Sequence, residues 1–176
     1  MKEIPVSGLF IRPFHAFAND WMALTVKTEE EVNAMTIAWG QIGALWERES
    51  HQNRLPVAAC YVRPSRYTKA LLDKAPYFTL SCFGGEKKKA LGYIGSHSGR
   101  DGDKLAAAGL TPVDDGDYSY IEGASLVLVC RTIYHAPLIE EGFVDRGLID
   151  FNYPQRDFHE MYTGEIVRVL TAGESN

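Results

Sequence analysis

The chain has 176 residues, is 45% hydrophobic and carries a formal net charge of -5, with a sequence pI near 5.5. This length and composition fit one domain over residues 1–176 with a substantial hydrophobic core. The acidic balance argues against a nucleic-acid partner and against a polybasic membrane anchor. No apolar run reaches the length of a membrane span, and Met1–Pro5 does not have the pattern of a signal peptide. We therefore expect a cytoplasmic protein without membrane contact.

Strand-like patterns dominate the chain, and short helix-like patterns lie between them. Apolar runs bounded by turn residues predict six strands, over residues 20–28, 33–40, 56–62, 77–83, 125–134 and 158–170. A charged turn at 29–31 joins the first two, which predicts a hairpin, and Gly164 marks a bulge or a close approach in the last. Helices are predicted over residues 65–74, 87–93 and 103–108.

This order of elements predicts a mainly β fold. We expect a closed or nearly closed antiparallel barrel with short peripheral helices, rather than a doubly wound sheet. Residues 44–55 and 138–156 have mixed charge and are predicted as loops. The second segment is rich in aromatic residues, so it is a candidate lid over a ligand or a loop that covers a partner.

The cysteines and most of the histidines give no sign of a disulfide framework or a metal site. The chain has three cysteines, Cys60, Cys82 and Cys130. Each lies in a strand-like run and no Cys-x-x-Cys pair occurs, so we expect buried, reduced thiols. Cys82 lies at the end of its strand, just before a glycine-rich loop. His15, His51 and His135 are not spaced in the sequence as metal ligands usually are, so we expect no metal.

One stretch of the sequence has the composition of an anion site. The predicted strand over 56–62 runs directly into Arg63-Pro64-Ser65-Arg66-Tyr67-Thr68, and a helix follows. The first amides of a helix lack partners within the helix and favour negative charge, and arginine adds a planar fork that grips phosphate. The candidate ligands of a phosphate-bearing small molecule are therefore Arg63, Ser65, Arg66 and Thr68. The alternative is that Ser65 only caps the helix while Arg66 is solvated.

A second stretch, residues 97–104, repeats this chemistry. It is polar and glycine-rich, and it leads into the predicted helix over 103–108. The candidate anion ligands here are Ser98, Gly99, Arg100 and Lys104. Protonation of His97 would strengthen phosphate binding, although a solvated loop residue is the alternative. The alternative for this loop is that Ser98 or Asp101 only caps a helix. Neither stretch is a P-loop, because no glycine-spaced Gly-Lys-Ser/Thr occurs.

Three motifs in chain order resemble the flavin reductase-like FMN-binding split-barrel family, and its flavoredoxin branch most of all. The motifs are Asn33-Ala34-Met35-Thr36-Ile37-Ala38-Trp39-Gly40, Val62–Thr68 and Ser98–Lys104. The closing pattern His159-x-x-x-x-Gly164-Glu165-Ile166-Val167 also resembles the last barrel strand of that family. The motifs are specific as a set, and the resemblance covers most of the chain.

The resemblance implies a six-stranded split barrel, a homodimer, and FMN held near the dimer interface. It implies that the strand from Asn33 to Trp39, including Ala38, lies along the isoalloxazine ring. It also implies that the loops Val62–Thr68 and Ser98–Lys104 serve the ribityl chain and the phosphate. The last assignment agrees with the anion chemistry of the same two loops.

A flavin ring needs polar partners along its pyrimidine edge and apolar cover on one face. The suited polar side chains are Asn33, Thr36 and Ser81, and the suited apolar ones are Met35, Trp39 and Phe83, with Cys82 at the same strand exit. The alternative for Met35 and Trp39 is an ordinary place in the barrel core. His159 is the candidate for catalysis, because it could orient a nicotinamide or assist a proton transfer, although a structural role beside Glu160 is the alternative.

These residues predict an FMN-dependent oxidoreductase of the flavin reductase type, in which NAD(P)H gives a hydride to the flavin and a second acceptor takes the electrons. No Gly-x-Gly-x-x-Gly occurs, so a nicotinamide would have to stack over the flavin. One alternative is a flavoredoxin-like carrier with permanently bound FMN that exchanges electrons with a redox protein. Another is a flavin- or haem-binding module without catalysis. The family branch and the two phosphate-suited loops favour FMN over FAD.

Overall fold

The computed structural model describes residues 1–50 and 54–173, and His51 lies outside the described residues. The strands are β1 (Lys2–Ile4), β2 (Met22–Lys27), β3 (Val32–Ile37), β4 (Gly40–Glu47), β5 (Arg54–Val62), β6 (Tyr77–Cys82), β7 (Pro112–Asp115), β8 (Tyr118–Ile121), β9 (Leu126–Pro137) and β10 (Glu160–Thr171). The helices are α1 (Pro13–His15), α2 (Tyr67–Leu72), α3 (Lys88–Ser96), α4 (Lys104–Ala107) and α5 (Gly147–Asn152). None of these helices is long and apolar enough to cross a membrane.

Eight strands form one antiparallel sheet. Its order is β3-β2-β6-β9-β10-β5-β4, and β1 pairs with the end of β10. The remaining strands, β7 and β8, form a separate hairpin. The predicted hairpin of the first two long strands is β2 with β3, in which Met22 faces Ile37 and Lys27 faces Val32. This architecture confirms the predicted mainly β, antiparallel split barrel with short peripheral helices.

The sheet has two strands more than the six predicted, namely β1 and β4. The prediction of a loop over 44–55 is wrong, because this segment contains the end of β4 and the start of β5. Most side chains of β4 are exposed, so the strand shows no clean apolar alternation, and its pairing with β5 holds it in place. The prediction of a loop over 138–156 is wrong in part, because α5 forms within it.

The central strands are buried on both faces. Leu24, Leu80 and Leu128 belong to one core cluster, to which all six predicted strands contribute, as the interior of a barrel requires. The neighbouring residues Ala23 and Val127 belong to a second cluster that includes side chains of α3, α4 and β8. Successive residues of a strand point to opposite faces, so the helices cover the outside of the barrel wall. This double burial explains why the central strands are continuous apolar runs in the sequence.

The three cysteines contribute packing rather than chemistry. Cys60, Cys82 and Cys130 are free and buried, which confirms the prediction. Burial raises the pKa of the Cys60 thiol and of the Cys82 thiol to about 12. At neutral pH these groups are therefore protonated and unreactive, because the thiolate is the reactive form of cysteine.

Gly164 in β10 has both features predicted for it. The register with β9 shifts between Thr163 and Gly164, which is a bulge. A Cβ atom at this position would lie 2.6 Å from Cys130 Cβ and 2.8 Å from the ring of Phe78. The strand can therefore approach its neighbours this closely only with glycine.

Gly164→Ala is expected to destabilise the protein by about 1–3 kcal/mol, the usual cost of forcing an extra carbon into a packed core. The comparison is urea unfolding of this variant and of Gly43→Ala, since a Cβ at Gly43 in β4 would meet nothing within 4 Å. The control should change the free energy of unfolding by less than about 0.5 kcal/mol. Equal stability of the two variants would contradict the close approach at Gly164.

Candidate functional site

The first anion stretch forms the turn between β5 and α2. The amide of Arg66 donates to the carbonyl of Arg63 at 3.0 Å, and α2 begins one residue later. The capping alternative for Ser65 is wrong, because α2 has no side-chain cap at its N-terminus. Thr68 is buried, and Asn33 Nδ2 donates to its Oγ1 at 3.0 Å. This hydrogen bond ties the start of β3 to the turn.

The second anion stretch connects α3 to α4 and packs against the first. Ser98 Oγ accepts a hydrogen bond from the amide of Arg100 at 3.2 Å, so the capping alternative holds for this serine. Asp103, rather than Asp101, caps α4. A Cβ atom at Gly99 would lie 2.7 Å from the ring of Tyr67. The two stretches therefore meet where there is no room for a side chain on Gly99.

Together the two stretches enclose a cavity of about 210 Å³, here called the anion cavity. The predicted anion ligands that line it are Ser65, Arg66, Thr68, Ser98, Arg100 and Lys104. The other lining residues are Met35, Tyr67, Ile94, Gly95, Ser96, His97 and Asp101. Residue chemistry predicted two loops of the same kind, and the fold brings them to one place.

The three cations of the anion cavity outnumber its one carboxylate, that of Asp101. Arg66 Nη1 donates to the carbonyl of Gly95 at 3.1 Å, and the Arg100 guanidinium lies 5.1 Å from the ring centre of Tyr67. Lys104 Nζ donates to backbone carbonyls of the α3 end at 3.0 and 3.2 Å. Among the described residues, no carboxylate forms an ion pair with any of the three cations. Three cations against one carboxylate leave a net positive charge in the lining, and this charge suits an anion.

Lys104 is the most deeply placed of these cations. Its side chain is buried, and burial together with the nearby Arg66 lowers its pKa to about 8. Desolvation disfavours the ammonium form, and so does a second positive charge close by. A bound phosphate would oppose both effects, so the charge of Lys104 is coupled to occupancy of the cavity.

Strand β3 leads from the anion cavity to a second, larger cavity. Asn33 at the start of β3 contacts the first loop, and Met35 lines the anion cavity. Thr36 Oγ1 donates to the carbonyl of Leu91 in α3. Ala38 and Trp39, just past the end of β3, line the second cavity. From Asn33 to Trp39 an extended chain spans roughly 20 Å, so one strand connects a charged pocket with an apolar one.

This second cavity, here called the aromatic cavity, has a volume of about 580 Å³. Its lining residues are Phe14, Phe17, Ala18, Ala38, Trp39, Gly40, Gln41, Tyr61, Leu138, Phe143, Leu148, Asn152 and Tyr153. The rings of Trp39 and Tyr153 lie 6.5 Å apart and nearly perpendicular. The segment 138–156, predicted as a candidate lid, supplies one wall of this cavity. Its predicted position beside a cavity is therefore correct.

Arg63 does not line the anion cavity. Its guanidinium pairs with Asp157, donates to the carbonyl of Asn152 at 2.8 Å and lies 5.3 Å from the ring centre of Tyr153. Hydrogen bonding to Arg63 lowers the pKa of the Asp157 carboxyl, which is partly buried. Arg63 thus anchors the aromatic wall, and its predicted contact with phosphate stays a prediction.

His159, the candidate for catalysis, lies behind the aromatic wall. Its ring is 4.6 Å from the ring of Trp39, and its Nδ1 shares a hydrogen bond with the hydroxyl of Tyr153 at 2.9 Å. Burial, with a smaller contribution from Arg63, lowers its pKa to about 4. The imidazole is therefore neutral at pH 7, which favours positioning of Trp39 and Tyr153 over proton donation.

One further cluster contains residue types that bind metals. A ligand atom of each of Asp73, His135 and Glu160 lies within 4.8 Å of the others. Lys69 Nζ already contacts Asp73 at 2.8 Å and Glu160 at 3.0 Å. The ammonium group thus occupies the place that a cation would take, and the cluster is an ion-pair network between α2 and the barrel.

Residues 14–176 match the family of flavin reductase-like domains. The chain belongs to this family. No curated protein is similar to it in sequence at a significant level. Family membership confirms the resemblance read from the three motifs, and it makes the protein a flavin-binding redox protein at the level of the family.

Solved structures of this family share the fold. The flavoredoxin of Desulfovibrio vulgaris (Miyazaki F) is similar with a TM-score of 0.63 at 21% identity, over 87% of this chain and 69% of that chain. An FMN-binding protein from Thermus thermophilus reaches a TM-score of 0.63 at 23% identity, over 99% and 83%. Nitrilotriacetate monooxygenase component B from Bacillus cereus reaches 0.64 at 14% identity, over 98% and 82%. At these low sequence identities, the structural similarity shows a shared fold.

The residues of the two cavities fit a flavin that carries a phosphate. The anion cavity supplies three cations and the hydroxyls of Ser65, Thr68 and Ser98. Asn33 and Thr36 lie along the strand that leads away from it, and each already hydrogen bonds to a neighbouring element, which fixes its orientation. A small polar pocket followed by an apolar one matches the polarity of a phosphate, a ribityl chain and a ring in that order.

Eight predicted flavin ligands line neither cavity. Asn33, Thr36, Arg63 and Gly99 contact residues that line one of the two, and the remaining four lie further away. Val62 is fully buried in the barrel interior, and Phe83 lies in the outer core cluster. Ser81 Oγ accepts a hydrogen bond from the amide of Ile121 at 3.3 Å, and Cys82 packs in the interior. The structure does not bring these residues to the site, and their contact with the flavin stays a prediction.

Several residues that line the site were not predicted from the sequence. In the anion cavity they include Tyr67 and Gly95, and in the aromatic cavity Phe14 and Tyr61. Tyr67 lies in the first anion stretch, between Arg66 and Thr68. Its place in that motif could therefore have indicated that it lines the cavity. No local pattern marks Tyr61, because no other residue that lines the cavity is close to it in the chain.

Proposed function

We propose that this protein is an FMN-dependent oxidoreductase of the flavin reductase type. In this proposal NADH or NADPH gives a hydride to the flavin, and the electrons then pass to a second acceptor. The observation that carries the proposal is the pair of cavities joined by β3, one lined by three cations that form no ion pair among the described residues and one with aromatic walls. The solved neighbours described as FMN-binding support FMN as the flavin.

The residues of the chain would hold and orient the cofactor. Arg66, Arg100 and Lys104 would bind the phosphate through charge-assisted hydrogen bonds. Thr36 and the backbone of β3 would fix the ring beside Trp39. When bound, FMN accepts a hydride and releases electrons one or two at a time. The protein needs no acid or base for hydride transfer, in keeping with a neutral His159.

Assembly as a homodimer is also part of the proposal. Strand β4 is an edge strand of the main sheet, and most of its side chains are exposed. Trp46 is 48% exposed and Tyr134 is 43% exposed, and their rings lie 5.7 Å apart. An exposed apolar edge of this kind supports pairing with a second copy. A cytoplasmic location remains a prediction.

A flavoredoxin-like electron carrier is the second candidate. None of the side chains that line the aromatic cavity is charged. The phosphates of a dinucleotide would find no cation there, which favours a redox protein as the electron donor. In this case FMN would stay bound and would supply electron transfer between redox proteins.

The anaerobic visible spectrum of the FMN-loaded protein, before and after NADH and then NADPH, tests this proposal. We expect bleaching of the bound flavin band within seconds, because a reductase turns over on this timescale. A bound flavin that stays oxidised with both donors, but is reduced by a low-potential redox protein, would overturn the reductase in favour of the carrier. Failure to retain flavin would overturn both, and a Soret band would indicate haem instead.

A further inference from the structure

We propose that the face around the opening of the aromatic cavity docks a redox protein with a basic surface, which takes electrons from the flavin. This inference rests on the proposed function for the flavin in the cavity, and it names the second acceptor as a protein rather than a small molecule. The face, here called the mouth face, consists of exposed apolar and acidic side chains: Phe14, Val144, Leu148 and Phe151, with Glu141, Asp145 and Asp150.

The apolar part of the mouth face begins in the lining of the cavity itself. Phe14 and Leu148 line the cavity, yet they are 84% and 49% exposed, so they lie at its opening. In α5, Phe151 follows Leu148 by three residues, which places both on one side of the helix, and Phe151 is 87% exposed. Ile149 of the same helix is buried. Exposed apolar side chains grouped beside a cavity are typical of a surface that a partner covers.

The charge of the mouth face is negative and largely unpaired. The segment 139–151 contains four carboxylates and one arginine. Glu140 pairs with this arginine at 2.7 Å and with a second arginine outside the segment at 3.2 Å. Glu141, Asp145 and Asp150 are exposed, and none of them forms an ion pair within residues 1–50 and 54–173. Three free carboxylates beside exposed apolar side chains favour a partner whose apolar centre is surrounded by lysines or arginines.

A second copy of the chain fits the mouth face poorly. In a two-fold dimer the same patch meets itself, so the three free carboxylates would face three others, and like charges across an interface weaken binding. The dimer edge proposed at Trp46 also lies elsewhere, because Trp46 is near the end of β4 and Gly40, at its start, lines the cavity. The extended chain between these two residues spans roughly 20 Å. A dimer at that edge is therefore compatible with a free mouth face.

A partner on the mouth face would lie over the place proposed for the flavin ring. Trp39, beside which the ring would be fixed, lines the same cavity and is 42% exposed. Two haem irons would each take one electron from reduced FMN and pass from the ferric to the ferrous state, while FMN returns to its oxidised form and its protons go to solvent. Transient electron-transfer complexes bury less than about 1,200 Å² in all, so a few apolar side chains with a charged rim suffice.

The test uses mitochondrial cytochrome c as the probe, because it is a small, basic haem protein that accepts one electron. Its binding to the flavin-free protein is measured by calorimetry. Its reduction is followed by stopped flow, after the FMN-loaded protein has been reduced with one equivalent of dithionite. We expect binding at about 20 mM ionic strength, and a rate constant for reduction that falls at least about tenfold at about 200 mM. No binding, or a rate constant that salt does not lower, would overturn the inference.

A matched pair of charge reversals shows whether the effect belongs to the mouth face. The double variant Glu141→Lys with Asp150→Lys changes the net charge as much as the control, Asp117→Lys with Glu122→Lys, which lies on the hairpin of β7 and β8. We expect the first to weaken binding and slow reduction at least about tenfold, and the control to change both by less than about threefold. Equal effects of the two double variants would overturn docking at the mouth face.

The apolar part of the mouth face is tested with Phe151→Ser, and Val167→Ser, at an exposed residue of β10, is its control. We expect weaker binding of cytochrome c at both ionic strengths in the first variant only. A dimer that dissociates in Phe151→Ser, measured by sedimentation, would assign the face to a second copy and overturn the inference. Because dithionite supplies the electrons in this test, failure of NADH and NADPH to reduce the flavin would count against the proposed function alone.

Discussion

Replacing Arg66 with alanine is expected to weaken FMN binding by about 1.5–3 kcal/mol, which is roughly 10- to 150-fold in Kd. The guanidinium lies in the wall of the anion cavity, contacts a neutral carbonyl and has no carboxylate partner among the described residues. Its charge is therefore available to phosphate. Fluorescence titration of flavin-free protein with FMN measures the change.

Two further variants show whether the effect belongs to the site. Arg54→Ala removes an exposed arginine from the far end of β5, so FMN affinity should stay unchanged. Arg66→Lys keeps the charge but loses the planar fork, and we expect an intermediate Kd. An Arg66→Ala variant that binds FMN as tightly as the unchanged protein would remove Arg66 from the phosphate site.

FMN binding is expected to weaken about tenfold between pH 7 and pH 9. Lys104 has a pKa of about 8 in the protein without ligand, lowered by burial and by Arg66. A phosphate dianion beside it would raise this pKa again, so above pH 8 each binding event takes up a proton. The affinity for FMN is therefore fully present below pH 8. It falls as the pH rises through the pKa of Lys104 in the free protein.

Calorimetry in two buffers of different ionisation enthalpy measures the proton uptake directly. Lys104→Met should abolish the uptake between pH 8 and 9, whereas Lys89→Met, which changes an exposed lysine of α3, should leave it in place. Without ligand, the lowered pKa also means that the unfolded chain binds more protons between pH 8 and 10.5. The contribution of Lys104 to stability should accordingly rise with pH across this window. Proton uptake that persists in Lys104→Met would assign it to another group.

The barrel strands could be predicted from the sequence because their side chains carry the core. Leu24, Leu80 and Leu128 mark strands that face the interior, and the residues beside them face the outer helices. Strand β4 was missed for the opposite reason, since its side chains are mostly exposed and its pairing with β5 is not encoded by apolar alternation. Local patterns report burial, and a strand without burial leaves no such pattern.

The site could be predicted where a short motif contains the chemistry, and not where distant residues meet. Arg66 and Lys104 were assigned by residue type within two loops, and the fold brings both loops to one cavity. Arg63 shares the first motif, but its partner Asp157 lies 94 residues away, so its place in the aromatic wall could not be read locally. The aromatic cavity as a whole depends on such contacts.

The affinity of flavin-free protein for FMN, compared with that for riboflavin, tests the placement of the phosphate most directly. The two flavins differ only in the phosphate, so the ratio of their Kd values isolates the contribution of the anion cavity. We expect FMN to bind more tightly by about tenfold or more, the effect of at least one charge-assisted hydrogen bond, and we expect Arg66→Ala to remove most of this difference. Equal affinity for the two flavins would contradict a phosphate site between the two loops.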